Sequence, residues 1–180
     1  MSRKVYILYE DQRGPQRQFA PHVFVVQCVA DELGQQAKSV TGRLEPIPCK
    51  GDSKLLAKLE NELDPLVRSG NPVVAVMDDD QIRQLLKLDR STKKREVAAH
   101  IRTRAAGSSV TVRLLVKNME TLVEACAAQV GDPPPEKGHK SRDAYLQRGA
   151  WELGPQDRRA IRAAVPSFDC LVQVVAHLVR

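Results

Sequence analysis

The sequence is poor in aromatic residues, in closely spaced cysteines and in long apolar runs. Phe, Trp and Tyr make up 4% of the 180 residues, which disfavours single-strand recognition by base stacking. The cysteines at positions 28, 49, 126 and 170 form no CxxC pair, so a zinc ribbon or a disulfide scaffold is disfavoured and reduced thiols are predicted. No stretch approaches the roughly 20 apolar residues that a membrane span needs, and the apolar run after Met1 is too short for a signal peptide. We therefore expect a cytoplasmic protein with no membrane association.

The composition that is present is that of a globular protein with a basic excess. Hydrophobic residues make up 42% and charged residues 28% of the chain, which is enough apolar material for a domain with a proper core. The formal net charge of +6 permits an anionic partner. No GxxxxGK[ST] pattern occurs, so the chain has no P-loop of its own.

Short apolar runs alternate with helical stripes along the first 130 residues. The runs predicted as strands are Val5–Tyr9, Leu44–Pro48, Pro72–Met77 and Val110–Val116. Pro46 and Pro48 confine the second strand to an edge of the sheet. The strand–helix order predicts an α/β fold with a mostly parallel sheet flanked by helices, Rossmann-like, over residues 1–130. Residues 131–180 are predicted to form a proline loop, running to Arg142, and C-terminal helices that pack on the same domain.

Acidic residues follow two of the predicted strands. Glu10 and Asp11 come directly after the first strand, and Asp78, Asp79 and Asp80 follow the third. In open α/β sheets, ligands bind outside the carboxyl ends of the strands. Carboxylates that converge there repel one another without a cation, and an all-oxygen ligand set suits Mg²⁺ or Mn²⁺. The pattern therefore predicts a divalent metal site at this edge of the sheet.

The same acids also have a purely structural interpretation. Aspartate is a favoured residue at a helix N-cap, and Asp78 with Gln81 three positions later fits a capping box. Three successive aspartates after an apolar strand exceed what capping needs, so both interpretations stay open.

Several segments resemble the TOPRIM domain found in topoisomerases, primases, recombination proteins and the overcoming-lysogenization-defect nucleases. Val5–Glu10 ends in an acid after the first strand, and Val73–Asp80 carries an Asp-x-Asp after a later strand. Small stand-alone TOPRIM-like proteins are also similar at Gly51–Leu56, at Asn118–Leu122 and at Pro166–Phe168. Together these short pieces extend over most of the chain.

The resemblance implies a role for each matched residue. Glu10 corresponds to the TOPRIM glutamate, a general base or acid and a metal ligand, while Asp78 and Asp80 correspond to the metal-binding pair. Glu120 is implied as a further acid near the metal, and Asp79 as a helix cap. The implied activity is Mg²⁺-dependent hydrolysis of phosphodiester bonds in DNA or RNA. The related nucleases also imply a bacterial anti-phage defence effector with an ATPase as partner protein.

A basic stretch follows the aspartates. It contains eight cationic and two acidic residues, a net excess of six that equals the charge of the whole chain. Beside a metal site, these side chains are expected to hold a nucleic-acid backbone. A solvated helical face is the alternative. The cations are Arg83, Lys87, Arg90, Lys93, Lys94, Arg95, Arg102 and Arg104.

Two other functions stay open. TOPRIM proteins place a glycine directly after the glutamate, whereas Asp11 stands there in this chain, which keeps a non-catalytic nucleic-acid- or protein-binding module in consideration. Receiver-like phospho-acceptor domains also have an acid pair after the first strand and an aspartate after a later one, as in Glu10, Asp11 and Asp78. They need a Lys-Pro after further strands, but Lys117 is followed by Asn118.

Overall fold

The computed structural model describes residues 4–10, 19–61, 63, 70–105, 110–115, 119–133 and 139–180, which form two compact units. The sheet unit comprises Met1–Pro15 and Arg43–Asn118, and the helical unit comprises Gln16–Gly42 and Met119–Arg180. The described elements run in this order: β1 (Val5–Tyr9), α1 (Ala20–Leu33), α2 (Ala37–Thr41), β2 (Leu44–Pro48), α3 (Asp52–Asn61), β3 (Val73–Asp78), α4 (Asp79–Leu85), α5 (Lys94–Arg104), β4 (Val110–Leu115), α6 (Glu120–Val130), α7 (His139–Trp151), α8 (Pro155–Ala164) and α9 (Pro166–Val179).

The four strands of the sheet unit form a fully parallel sheet in the order β2-β1-β3-β4. This confirms the predicted α/β fold class. The proline-containing β2 lies at an edge of the sheet, as its sequence predicted. Tyr9, the last residue of β1, is level with Pro48 of β2 and with Val76 of β3, so the carboxyl ends of these three strands lie close together.

The helices of the sheet unit flank one face of the sheet. Alternate residues of the strands, such as Leu8, Met77 and Val112, point into a core that the apolar faces of α3, α4 and α5 complete. Every residue of β3 is buried, which explains the unbroken apolar run from Val73 to Met77. The helical residues of this core include Leu55, Leu59, Ile82, Val97 and Ile101.

The helical unit is organised around α1. This helix contacts α2, α7, α8 and α9, and the rings of Phe24 and Phe168 stack with their centroids 5.6 Å apart. Gly34 ends α1 in the left-handed conformation, with φ of 61°, which glycine adopts without strain. Gly149 of α7 lies so close to α1 that an added Cβ would stand 2.9 Å from the Phe24 ring.

Two buried arginines of α8 tie this helix to its neighbours. Arg158 binds both carboxylate oxygens of Asp31, at 2.6 and 2.9 Å. Arg162 donates to Glu32 at 2.8 Å and to Asp169 at 2.7 Å. Each guanidinium is therefore paired, as a buried charge must be.

Each unit is built from two separate stretches of the chain. The helical unit joins α1, α2 and α6 to the C-terminal helices, and the expected α/β domain over residues 1–130 stays a prediction. The expected loop up to Arg142 is too long, because α7 begins at His139. Asp11 and residues 116–118, which carry part of the predicted motifs, lie outside the described residues.

Candidate functional site

Two of the predicted site residues meet at the switch point of the sheet, where β1 and β3 lie side by side. β1 pairs with β2 along one of its edges and with β3 along the other, so the chain runs outward from β1 in two opposite directions. Glu10 follows β1 directly and is half-buried, and Asp78 is the last residue of β3 and is buried. Crevices at such switch points are where open parallel sheets bind their ligands.

Asp78 caps the helix that follows it. Its Oδ1 accepts hydrogen bonds from the backbone N–H groups of Asp80, at 2.9 Å, and Gln81, at 3.0 Å. This confirms the capping interpretation of Asp78. A carboxylate has about four lone-pair positions, so this cap leaves capacity for a cation.

The prediction that Asp79 caps the helix is wrong. The cap position is already occupied by Asp78, so Asp79 lies inside the first turn, one turn from Arg83. Asp79 accepts from Arg83 Nε at 2.7 Å and pairs with Lys94 Nζ at 3.6 Å. Its buried carboxylate is therefore neutralised within the protein.

The two remaining predicted acids are exposed. Asp80 is the second residue of α4, and its side chain is exposed. Glu120 is the exposed first residue of α6 and belongs to the helical unit. The structure thus brings together one acid from each of the two predicted clusters.

A third carboxylate, which the sequence did not single out, belongs to this site. The backbone N–H of Cys49 donates to Tyr9 at 2.8 Å, and that of Gly51 donates to the carbonyl of Glu10, so the chain after β2 continues along the end of β1. Lys50 and Gly51 both adopt positive φ, 60° and 112°, to turn the chain into α3. This turn places Asp52, the first residue of α3, beside Glu10.

The carboxyl group of Asp52 is buried without hydrogen bonds. It is 6% exposed, and neither oxygen has a hydrogen-bond partner within the described part of the chain. Burial is the largest cause, and together with the neighbouring charges of Glu10 and Asp78 it raises the pKa of Asp52 to about 8. The nearby backbone N–H of Asp78 lowers this pKa in part, although it does not meet the geometry of a hydrogen bond to either oxygen.

The sequence alone assigned no role in a site to Asp52, which lies within the segment Gly51–Leu56. The signal that could have found it is positional, because it follows a parallel strand in the same way as Glu10 and Asp78 do. Its burial, which distinguishes it from an ordinary first-turn aspartate, is visible only in the folded chain.

The donor set at the switch point fits a hard divalent cation. Glu10, Asp52 and Asp78 supply only oxygen, and the two unpartnered oxygens of Asp52 call for a positive charge. Within the described residues, no three His, Cys, Asp or Glu side chains stand close enough together to hold a metal ion in the present arrangement. Mutual repulsion keeps like charges apart without a cation, and Mg²⁺ completes its shell with water rather than requiring a closed protein cage.

The predicted nucleic-acid-binding residues divide into one buried and seven exposed side chains. Arg83 is buried and donates to Asp79, to the carbonyl of Asp89 at 3.3 Å and to that of Thr92 at 2.6 Å. It holds together the segment between α4 and α5 rather than facing solvent. The exposed cations are Lys87, Arg90, Lys93, Lys94, Arg95, Arg102 and Arg104.

Two of the exposed cations already have acidic partners. Lys94 pairs with Asp79, and Arg104 Nε lies 2.7 Å from Glu60 Oε1. The others make no ion pair among the described residues, which leaves their charge available to an anionic partner. We call these seven exposed side chains the basic surface.

No helix in the described part of the chain is long and apolar enough to cross a membrane. Comparison of the chain with protein-family models, with curated proteins and with solved structures gave no match. The fold, the switch-point acids and the basic surface are therefore the features that bear on function.

Proposed function

We propose that the protein is a Mg²⁺-dependent phosphodiester hydrolase, a nuclease of the TOPRIM type acting on DNA or RNA. The observation that carries the proposal is the buried carboxyl group of Asp52, which lies within the electrostatic influence of Glu10 and Asp78 at the carboxyl ends of parallel strands. A divalent cation would stabilise such a group of acids by drawing their carboxylates together.

The basic surface supports a polyanionic substrate. Its seven cations lie in the same unit as the switch-point acids, on α5 and the segment before it. Lysine and arginine contacts to phosphates supply most of the sequence-independent affinity for nucleic acid. An acidic metal site together with a basic surface is the combination that a metal-dependent phosphodiesterase requires.

The chain's own residues have separate tasks in this reaction. Asp78 is fixed by its cap on α4 and so presents its carboxylate in one orientation. Glu10 supplies a carboxylate that accepts a proton from the attacking water. Glu10, Asp52 and Asp78 would hold a Mg²⁺ ion, which would supply positive charge at the scissile phosphate and lower the pKa of that water. The resemblance to nucleases of two-part bacterial defence systems supports an ATPase as the partner protein.

The test is cleavage of labelled plasmid DNA and RNA in Mg²⁺, in Mn²⁺ and in EDTA. Asp78→Asn is the informative variant, because asparagine caps a helix as well as aspartate does and only the charge is lost. Glu124→Gln, an exposed acid of α6, is the matched control. We expect metal-dependent cleavage that Asp78→Asn and Glu10→Gln abolish and that Glu124→Gln retains.

Nucleic-acid binding without cleavage under any of these metals, unchanged in Asp78→Asn, would contradict the proposal. That result would favour the non-catalytic binding module instead.

The strand order favours a receiver-like phospho-acceptor as the second candidate. The order β2-β1-β3-β4 also begins the doubly wound sheet of such domains, and Asp78 stands where the phospho-acceptor would be. Incubation with acetyl phosphate separates the two functions. A receiver-like protein gains a base-labile phosphoryl group on Asp78 and releases acetate, whereas the proposed hydrolase gains none.

A further inference from the structure

We infer that Asp52 is a direct ligand of the divalent cation, and that it forms the cation site together with Glu10 and Asp78. This deepens the proposed function, because it names a ligand that the TOPRIM resemblance does not supply. It also shifts the expected ligand set away from Asp80, which is exposed on α4.

Backbone hydrogen bonds position Asp52 at the site. The Gly51 N–H donates to the carbonyl of Glu10, which joins the residue before Asp52 to the residue after β1. The strained turn at Lys50 and Gly51 then begins α3 at this point rather than farther along the chain. A non-glycine residue with positive φ persists where the surrounding structure requires it.

The burial of Asp52 is the independent observation that points to a ligand. Its carboxyl group is 94% buried, and its two oxygens accept no hydrogen bond among the described residues. Leaving a buried polar group unsatisfied destabilises the folded protein, and an apolar side chain would avoid that cost. An acid in such a place therefore needs a partner that the described residues do not provide.

No basic side chain of the described residues supplies that partner. Lys50 and Lys54, the lysines nearest to Asp52 in the sequence, are exposed and make no ion pair with it. The charged groups that do face Asp52 are Glu10 and Asp78, and both are acidic. Electrostatics therefore favours a cation, and oxygen ligands select a hard one.

Titration calorimetry of the full chain with MnCl₂, without nucleic acid, tests this inference. We expect Asp52→Asn and Asp52→Ala to weaken Mn²⁺ binding at least about tenfold, since even outer-shell changes cost 10–100-fold. Glu45→Gln, which removes an exposed acid of β2, is the control and should bind like the unmodified chain. Thermal unfolding in EDTA checks that each variant folds, and Mn²⁺ should raise the Tm of the unmodified chain but not that of Asp52→Asn.

The outcomes separate this inference from the proposed function. Unchanged Mn²⁺ binding by folded Asp52→Asn overturns the inference and leaves a metal site at Glu10 and Asp78 intact. Absence of Mn²⁺ binding by the unmodified chain overturns both. Binding that depends on Asp52, in a protein that cleaves neither DNA nor RNA, supports the inference and overturns the nuclease.

Discussion

Two aspartates at the same edge of the sheet are treated differently by the fold. Asp78 is satisfied by two backbone N–H groups of α4, whereas Asp52 has no hydrogen-bond partner among the described residues. Both are buried, so the difference lies in their partners rather than in their exposure. A carboxyl group in the situation of Asp52 resists ionisation until a cation arrives.

Asp52 should make the metal-free protein less stable as the pH rises. In the unfolded chain Asp52 ionises near its ordinary pKa of 3.8, but burial and the neighbouring acids raise the native pKa to about 8. The free energy of unfolding therefore falls by on the order of a few kcal/mol between about pH 4 and pH 8. Above pH 8 it levels off. Urea denaturation in EDTA across this range measures the effect.

Asp52→Asn provides the comparison for this pH dependence. The variant should be more stable than the unmodified chain at pH 8, and the difference between the two should vanish near pH 4. If the difference in free energy of unfolding between the two proteins stays constant from pH 4 to pH 8, Asp52 ionises near its ordinary pKa in the native protein, and the account is contradicted.

Arg83 should act in folding rather than in nucleic-acid binding. Its buried guanidinium neutralises Asp79 and bonds two carbonyls of the segment before α5. Arg83→Met should lower the free energy of unfolding by about 3–5 kcal/mol, because it leaves the Asp79 charge buried. The exposed Arg90→Met should change stability little. If Arg83→Met weakens nucleic-acid binding at unchanged stability, this assignment is wrong.

The sequence predicted individual site residues only where position along the chain decides their place. Glu10 and Asp78 follow apolar strands, so the carboxyl-end rule found them. Which of three successive aspartates caps α4 depends on where β3 ends, and a shift of one residue separates Asp78 from Asp79. The burial of Asp52 depends on packing between elements, which no local pattern encodes.

At the scale of elements, the basic surface on α5 is the feature with a measurable electrostatic signature. Each phosphate contact that is removed should lower the slope of log K against log salt by about 0.7–0.9. Lys93→Gln combined with Arg95→Gln should therefore lower it by about 1.4–1.8 and weaken binding equally for all sequences. Salt titrations of fluorescent oligonucleotides measure this slope.

Arg159→Gln, an exposed cation of α8, is the control for that measurement. An unchanged slope in the double variant would mean that these side chains only solvate the helix.

Gly149 should be required for the packing of α7. A Cβ at this position would stand 2.9 Å from the Phe24 ring and 3.1 Å from Cys126 Sγ, both in the core of the helical unit. Gly149→Ala should therefore cost about 1–3 kcal/mol of stability by overpacking. Gly42→Ala, where an added Cβ meets nothing within 4 Å, should cost nothing. Chemical denaturation of both variants measures their free energies of unfolding. Equal values would contradict the close approach of Gly149 to the Phe24 ring.

Strong apolar patterns predicted their elements, and weak ones did not. The continuous run of β3 and the stripe of α1 gave both elements with bounds close to those observed. By contrast, α5 buries only Val97 and Ile101 along its length, so its charged sequence masked the helical period. Tertiary packing rather than local pattern stabilises such a helix.

At the scale of the whole molecule, strand order determines what the acids can do. The parallel sheet follows from alternating strands and helices, and the sequence predicted it, whereas the strand order that creates the switch point is visible only in the folded chain. The division into a sheet unit and a helical unit was not predicted. The chain leaves the sheet unit after β1 and after β4, and such long-range returns leave no local signal.

The central claim is that a divalent cation binds at this switch point, and anomalous diffraction from crystals soaked in MnCl₂ tests it most directly. The account predicts an anomalous peak at the carboxyl ends of β1 and β3, about 2.1 Å from carboxylate oxygens that include one of Asp52. A well-ordered Asp52 with no peak within ligand distance, at saturating Mn²⁺, would contradict it.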